Sequence, residues 1–204
     1  VAPEARVQVY RALDSDGIGS EEAVACAILQ AADDGADIIN LSLGTESYKD
    51  RPPVALNAAL NLLPDEIVVV AAAGNDGSTR PNWPGAFKRV VAVGGLDRDL
   101  KPTKWSNRGN WVDFSTVGEG VVSTFVVGFE TKAQDPNPED WRPGPLPWGM
   151  WTGTSFAAPQ IAGLIARGAE ASDAQAALAE LRTQGSHMAD WGIAIKSPLR
   201  YTHT

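Results

Sequence analysis

Short apolar runs rich in β-branched residues, separated by helical patterns, constrain the fold more than any other feature of this chain. Such continuous runs are typical of strands buried on both faces of a parallel sheet. Between them, Ser20 before two glutamates opens one helical pattern, and Pro64 closes another. Alternating strands and helices require right-handed crossovers. We therefore predict an α/β fold of three layers, αβα, with a mostly parallel sheet whose strands include residues 6–13, 37–43, 67–73 and 90–95.

Length and charge exclude several other classes of protein. The 204 residues are enough for one sizeable core, and we predict one domain. The formal net charge of -8 leaves no basic face for a nucleic-acid partner. The longest apolar runs, such as residues 67–74, are far shorter than the roughly 20 residues of a membrane span. A single cysteine, Cys26, excludes both a disulfide and a cysteine-based zinc framework within the chain.

One serine follows small residues at the start of a predicted helix. The stretch TGTSFAAPQIAG, residues 152–163, places Ser155 in the first turn, and Pro159 is expected to sit early enough to be tolerated. The partial positive charge of a helix N-terminus would stabilise the oxyanion of an attacked carbonyl. On these residues alone, Ser155 is either a nucleophile or an ordinary helix-capping serine.

Several blocks of sequence resemble one family. The run GTSFAAPQIAG resembles the nucleophile signature of the subtilisin-like serine proteases, the subtilases. Residues 67–77 resemble the family's strand before its oxyanion-hole asparagine, and residues 37–45 resemble the strand with a substrate-binding Ser-Leu-Gly edge. Residues 1–13 and 83–97 match two further blocks, and all of them occur in the family's order. The resemblance implies a subtilisin-like fold and a serine endopeptidase that hydrolyses peptide bonds by acyl transfer through Ser155.

The resemblance also implies roles for the residues at the carboxyl ends of the predicted strands, where active crevices of parallel sheets lie. The side-chain amide of Asn75 and the backbone N–H of Ser155 would bind the oxyanion. Asp76 would lie near the floor of the substrate pocket. From the residues alone, Asn75 and Asp76 equally fit a turn. The residues implied in binding an extended peptide substrate are Ser42, Leu43, Gly44, Ala72, Ala73 and Gly74.

The rest of a catalytic triad is missing from the predicted site. In subtilases the order along the chain is Asp, His, Ser, but the two histidines here, His187 and His203, both follow Ser155. Asp14 and Asp16 are interpreted as loop acids. Two hypotheses follow. Either the acid and the base lie on a segment outside these residues, in a preceding region or another chain, or the protein is an inactive subtilase-fold module that binds or scaffolds other proteins.

Other expectations concern boundaries and ligands. Residues 1–185 are predicted to be a catalytic domain without its amino-terminal Asp/His segment. Residues 186–204 are predicted to be a tail whose origin the sequence does not define, since GSHM at 185–188 resembles a cloning remnant. No cofactor and no metal site are predicted; many subtilases bind calcium, but no ligand set matches here. The resemblance implies secretion. Three tryptophans would wall the cleft or pack as a lid: Trp141, Trp148 and Trp151.

Overall fold

The structure is a computed structural model that describes residues 1–124 and 148–197. Helices and strands alternate along most of this part of the chain. The helices are α1 Glu21–Asp33, α2 Val54–Leu62, α3 Thr154–Ala169 and α4 Ala174–Leu181, with a short 3-10 helix at Tyr48–Asp50. The strands are β1 Ile38–Leu41, β2 Val68–Ala72, β3 Val90–Leu96, β4 Phe114–Val117, β5 Val121–Thr124, β6 Trp148–Trp151, β7 Ser186–Met188 and β8 Gly192–Ala194.

A six-stranded sheet in the order β1-β2-β3-β4-β8-β7 forms the centre of the described chain. Neighbouring strands from β1 to β8 in this order are parallel, and β7 pairs antiparallel with β8 at one edge. A separate two-stranded antiparallel sheet joins β5 and β6. The sheet is therefore mostly parallel, as the alternation of strands and helices predicts.

Successive side chains of β2 enter two different cores. Val68 and Val70 pack in a cluster with α3 and α4, whereas Val69 and Ala71 pack in a cluster with α1 and α2. All five residues of β2 are buried, because both faces of the sheet are covered by helices. This arrangement is the predicted three-layer αβα fold.

The ends of α1 follow directly from its sequence. Ser20 is the N-cap, and its side chain accepts a hydrogen bond of 3.1 Å from the backbone N–H of Ala23. Glu21 lies in the first turn, and its Oε1 also accepts hydrogen bonds from the backbone N–H groups of Ala55 and Leu56 at the start of α2. One carboxylate thus joins the two helices that cover this face of the sheet.

Two predictions about local structure are wrong, one of them at the amino-terminal end. Residues 6–13 form no strand, although their composition favours one. Val7 and Val9 are 80% and 88% exposed, because no neighbouring strand pairs with this segment among the described residues. A strand needs a ladder partner and a surface to pack on, and composition supplies neither. The other concerns Pro159, in the second turn of α3.

The carboxyl-terminal part of the described chain is built into the sheet. Residues 186–188 and 192–194 form the β7–β8 hairpin, and β8 pairs with β4 through Phe114 and Ser115. The boundary predicted at residue 185 falls immediately before this hairpin. No helix in the described ranges is both long enough and apolar enough to cross a membrane.

Candidate active site

The first turn of α3 meets the carboxyl ends of β1 and β2. Ser155 contacts Ser42, which follows β1, and Thr154 contacts Gly74 and Asn75, which follow β2. This edge of a parallel sheet is where the connections leave a crevice open to ligands. The sequence-predicted residues Ser155, Asn75 and Ser42 are therefore brought together at one place.

Ser155 and Ser42 are joined by reciprocal hydrogen bonds. The hydroxyl of Ser155 donates to the backbone carbonyl of Ser42 at 3.3 Å. The hydroxyl of Ser42 donates to the backbone carbonyl of Ser155 at 2.8 Å, and accepts a hydrogen bond from Nδ2 of Asn40 at 2.9 Å. These contacts fix the segment after β1 against the start of α3.

Pro159 explains why the carbonyl of Ser155 is free to accept that bond. Pro159 is the sixth residue of α3, so it lies in the second turn and not among the first amides that lack intrahelical partners. The expectation that it sits early enough to spare the helix a hydrogen bond is wrong. A residue with an N–H at this position would donate to the carbonyl of Ser155, four residues earlier. In its place, the Ser42 hydroxyl binds that carbonyl.

The amide of Asn75 is held at one end only. Its Oδ1 accepts hydrogen bonds from the backbone N–H of Thr154 at 2.8 Å and from the Thr154 hydroxyl at 2.9 Å. The same hydroxyl accepts a 3.0 Å bond from the backbone N–H of Gly74, and Thr154 is fully buried, with 0% exposure. Within the described chain, Nδ2 of Asn75 has no hydrogen-bond partner, so its N–H groups are available to a ligand.

A second asparagine, which sequence analysis missed, shapes the loop that carries Asn75. Asn107 is fully buried; its Oδ1 accepts hydrogen bonds from the backbone N–H groups of Asp76 and Ser78, and its Nδ2 donates to the carbonyl of Ala73. Its partners are some 30 residues away in the chain, and no local pattern at Asn107 signals them.

A pocket of about 190 Å³ opens beside these groups. Most of the predicted substrate-binding residues line it, but Ser42 and Ala73 do not. Ala73 is completely buried and its backbone is engaged with Val93 and Asn107. The pocket also includes two residues that sequence analysis did not assign to it, Asn82 and Thr154. The full lining is Leu43, Gly44, Ala72, Gly74, Asn75, Asp76, Asn82, Thr154 and Ser155.

An arginine joins the two loops on either side of the pocket. Arg80 binds Glu46 through Nη1 at 2.5 Å and Asp50 through Nη2 at 2.8 Å. The hydrogen bond to Asp50 and the negative charges of both carboxylates raise the pKa of Arg80. Next to this pair, Thr45 and Trp83 exchange two backbone hydrogen bonds of 2.8 and 2.9 Å. The segment after Gly44 is thus held to the residues on both sides of Asn82.

No histidine of the described chain lies near Ser155. His187 is exposed on β7, at the edge of the sheet opposite β1. Five strand spacings of about 4.8 Å separate β7 from β1, so the two edges lie roughly 24 Å apart across the sheet. His203 lies outside the described residues. The side chain of Asp14 forms hydrogen bonds only inside its own loop in the described chain: its Oδ1 accepts hydrogen bonds from the backbone N–H groups of Asp16 and Ile18.

The three predicted tryptophans can be placed in part. Trp151 stacks on Phe156, the residue after Ser155, with ring centroids 6.2 Å apart. Trp148 is about half exposed on β6, and Trp141 lies outside the described residues. Across residues 1–124 and 148–197, no group of three or more His, Cys, Asp or Glu side chains is arranged to hold a metal ion.

Fold and site together define a class of protein: a three-layer α/β domain with a serine at a helix N-terminus, beside an asparagine that presents free N–H groups. Comparison with known proteins narrows this class. The model of the subtilase family, Peptidase_S8, matches residues 1–189, and the chain belongs to that family.

Individual relatives agree with this assignment. The chain is 38% identical over 166 residues to a thermophilic serine proteinase of Bacillus sp. (strain AK1), covering 81% of this chain and 36% of the relative. It is 34% identical over 181 residues to thermitase of Thermoactinomyces vulgaris, covering 87% of this chain and 57% of thermitase. A solved protease structure from Pseudoalteromonas arctica superposes with a TM-score of 0.73 at 25% identity, covering 87% of this chain and 57% of that one. The chain thus spans less than two thirds of these relatives.

Proposed function

We propose that this chain is the nucleophile-bearing part of a serine endopeptidase. The observation that carries the proposal is the pairing of Ser155 with Asn75 in one pocket. Ser155 lines the same cavity as Asn75, whose Nδ2 has no hydrogen-bond partner in the described chain. A peptide carbonyl bound between these two groups would have a nucleophile at its carbon and a hydrogen-bond donor at its oxygen.

The proposed reaction is acyl transfer. The Ser155 hydroxyl attacks the scissile carbonyl carbon, and its proton passes to a histidine and then to the leaving amine. The negative charge that forms on the carbonyl oxygen is stabilised by Asn75 Nδ2–H and by the Ser155 backbone N–H, which has no intrahelical acceptor in the first turn of α3. Water then releases the acyl group from Ser155.

The general base and its orienting acid are proposed to lie on a segment outside these 204 residues, in a preceding region or on another chain. The position of His187 at the far edge of the sheet supports this proposal. The outer side of β1, next to Ser155, pairs with no strand among the described residues, and the apolar side chains of Val7 and Val9 are exposed. A segment that supplies the histidine would find an open sheet edge beside β1 and could cover the exposed side chains of Val7 and Val9.

The substrate is proposed to be an extended peptide or protein segment. Residues 42–44 follow the outermost parallel strand, where a peptide can add as a further strand through backbone hydrogen bonds. Secretion remains a prediction from the family resemblance.

A fluorophosphonate probe tests the proposal, because it forms adducts with activated serines. The chain alone should show no adduct at Ser155, because its hydroxyl donates to the carbonyl of Ser42 and no histidine of the described residues lies beside it. A chain extended by the sequence encoded upstream, or supplemented with the segment that carries the histidine, should be labelled at Ser155. Ser155→Ala is the control for site specificity.

The second candidate function is an inactive subtilase-fold module that binds other proteins, and the absence of a nearby histidine in the described chain favours it. If the extended chain is folded, carries the family's Asp and His motifs and still forms no adduct at Ser155, the peptidase proposal is wrong and the binding module is supported. Labelling of Ser155→Ala would show that the adduct forms elsewhere.

A further inference from the structure

One buried side-chain amide in the pocket makes no hydrogen bond to any residue that the structure describes. Asn82 is only 4% exposed, and Oδ1 of its side chain is buried without a partner. In the described chain its Nδ2 is also unpaired, although its backbone carbonyl accepts the N–H of Ala86. A buried polar group without a partner destabilises a fold, so a fold that keeps one has a reason to do so when the group borders a binding pocket.

Two glycines make room for this amide. A Cβ added at Gly44 would overlap Oδ1 of Asn82, and a Cβ added at Gly74 would lie 2.8 Å from Nδ2. Gly74 also has φ +98, a conformation that favours glycine. The Asn82 amide therefore lies between the two walls of the pocket, with one end against each glycine. Rotation about its Cβ–Cγ bond exchanges oxygen and nitrogen without changing the shape of the group.

The position of the pocket fixes which part of a substrate would meet Asn82. This step rests on the proposed function. The carbonyl that Ser155 attacks and Asn75 holds belongs to the residue before the scissile bond. The side chain of that residue starts at the Cα next to the attacked carbon. Since Ser155, Asn75 and Asn82 line one cavity, that side chain is the one that enters it.

We propose that Asn82 selects substrates whose residue before the scissile bond carries an N–H donor at the end of a medium-length side chain, as glutamine and lysine do. Such a donor binds Oδ1 of Asn82, which nothing in the described chain satisfies. Asp76, whose side chain has no partner in the described chain, lines the same pocket and adds a second acceptor. An apolar side chain of the same length would leave the Asn82 amide unpaired inside a filled pocket.

Binding to this chain itself tests the proposal, so no catalytic activity is needed. The probes are two acetylated tetrapeptides of three alanines followed by glutamine or by methionine, which have similar length and differ in the terminal amide. Kd is measured by isothermal titration calorimetry, and the side-chain amide signal of Asn82 is followed by ¹⁵N NMR. We expect the glutamine peptide to bind at least about tenfold more tightly, equivalent to about 1.4 kcal/mol. It should also shift the Asn82 signal, whereas the methionine peptide should not.

Asn82→Leu is the matched variant, since leucine keeps the branched shape and removes all hydrogen bonding. The glutamine preference should disappear in it. Its urea midpoint should be equal to or above that of the wild type, because the lost amide makes no hydrogen bond in the free chain. A purely structural role for Asn82 would instead lower the midpoint. If Asn82→Leu does not fold, the two peptides on the wild type still decide the question.

The outcomes separate two kinds of failure. If both peptides bind the wild type equally, or the methionine peptide binds more tightly, the role of Asn82 is refuted while peptide binding stands. If the glutamine preference persists in Asn82→Leu, another group provides it and the assignment is wrong. If neither peptide binds, the pocket is not a peptide site, and both this proposal and the proposed function lose their basis. If Asp76→Asn weakens binding of a lysine peptide and leaves binding of the glutamine peptide unchanged, Asp76 is supported as the second acceptor.

Discussion

Replacement of Thr154 by valine should both destabilise the chain and weaken the anchoring of Asn75. The buried hydroxyl donates to Oδ1 of Asn75 and accepts from the backbone N–H of Gly74. Valine has nearly the same shape but makes neither bond, and it leaves the Gly74 N–H unpaired. Each lost hydrogen bond costs about 1 kcal/mol and an unsatisfied buried donor about 1–3 kcal/mol. We therefore expect the free energy of unfolding to fall by about 2–3 kcal/mol.

Urea unfolding followed by circular dichroism measures this change. Thr154→Ser is the matched control: it keeps the hydroxyl, loses one buried methyl group and should lose only about 1 kcal/mol. In a form that reacts with fluorophosphonate, Thr154→Val should also slow labelling of Ser155. Loss of a whole oxyanion donor costs about 10²–10³ in kcat, a range that comes from subtilisin, a protein of this family. Because Asn75 keeps its bond to the Thr154 backbone, we expect labelling of Ser155 to be only about tenfold slower.

The hydrogen-bond argument would be refuted by a valine variant that is at least as stable as the serine variant. It would also be refuted if the serine variant slowed labelling as much as the valine variant, since serine retains both bonds to the loop after β2.

Three further predictions can be checked by unfolding measurements. Glu21→Ala should lower the free energy of unfolding by about 1–2 kcal/mol, because it removes the carboxylate that accepts two N–H groups at the start of α2, and Glu21→Gln should lose less. Ser42→Ala should cost about 1 kcal/mol by leaving the Ser155 carbonyl without a protein donor, and a Pro159→Ala change in the same chain should recover part of the loss. The hydrogen bond from the Tyr10 hydroxyl to Asp34 raises the pKa of Tyr10. This hydrogen bond should therefore stabilise the fold fully below about pH 10, and the stabilisation should be lost as pH rises through the higher folded-state pKa. The difference in urea midpoint between wild type and Tyr10→Phe should shrink over that range; a constant difference would contradict this.

The sequence predicted the strands that are continuous apolar runs and missed those that depend on distant partners. β2 and β3 are apolar throughout, and both were predicted within one residue at each end. β4 is interrupted by Ser115 and Thr116, whose hydroxyls bind the carbonyls of Trp191 and Ile195 nearly 80 residues later. Polar residues with such remote partners look like loop residues when only local pattern is considered.

For the candidate site, the sequence motifs predict Ser155 and Asn75, and the structure shows the residues that hold them in place. The start of α3 and the end of β2 are recognisable from sequence, so Ser155 and Asn75 could be predicted together. Thr154, Asn82 and Asn107 could not, because their roles come from burial and from contacts between separate loops. The misplaced expectation for Pro159 has the same origin, since the partner that compensates for it lies 113 residues from the carbonyl it binds.

The bond between Ser42 and the freed carbonyl of Ser155 also affects how this region opens. The first turn of α3 is tied to the end of β1 by a bond that an ordinary helix would make within itself. We therefore expect the start of this helix to unfold together with the end of β1, and not together with the rest of α3. Fluctuations that expose backbone amides to deuterium should release the residues after β1 and the first turn of α3 in one cooperative step, with matching protection factors, while the rest of α3 stays closed.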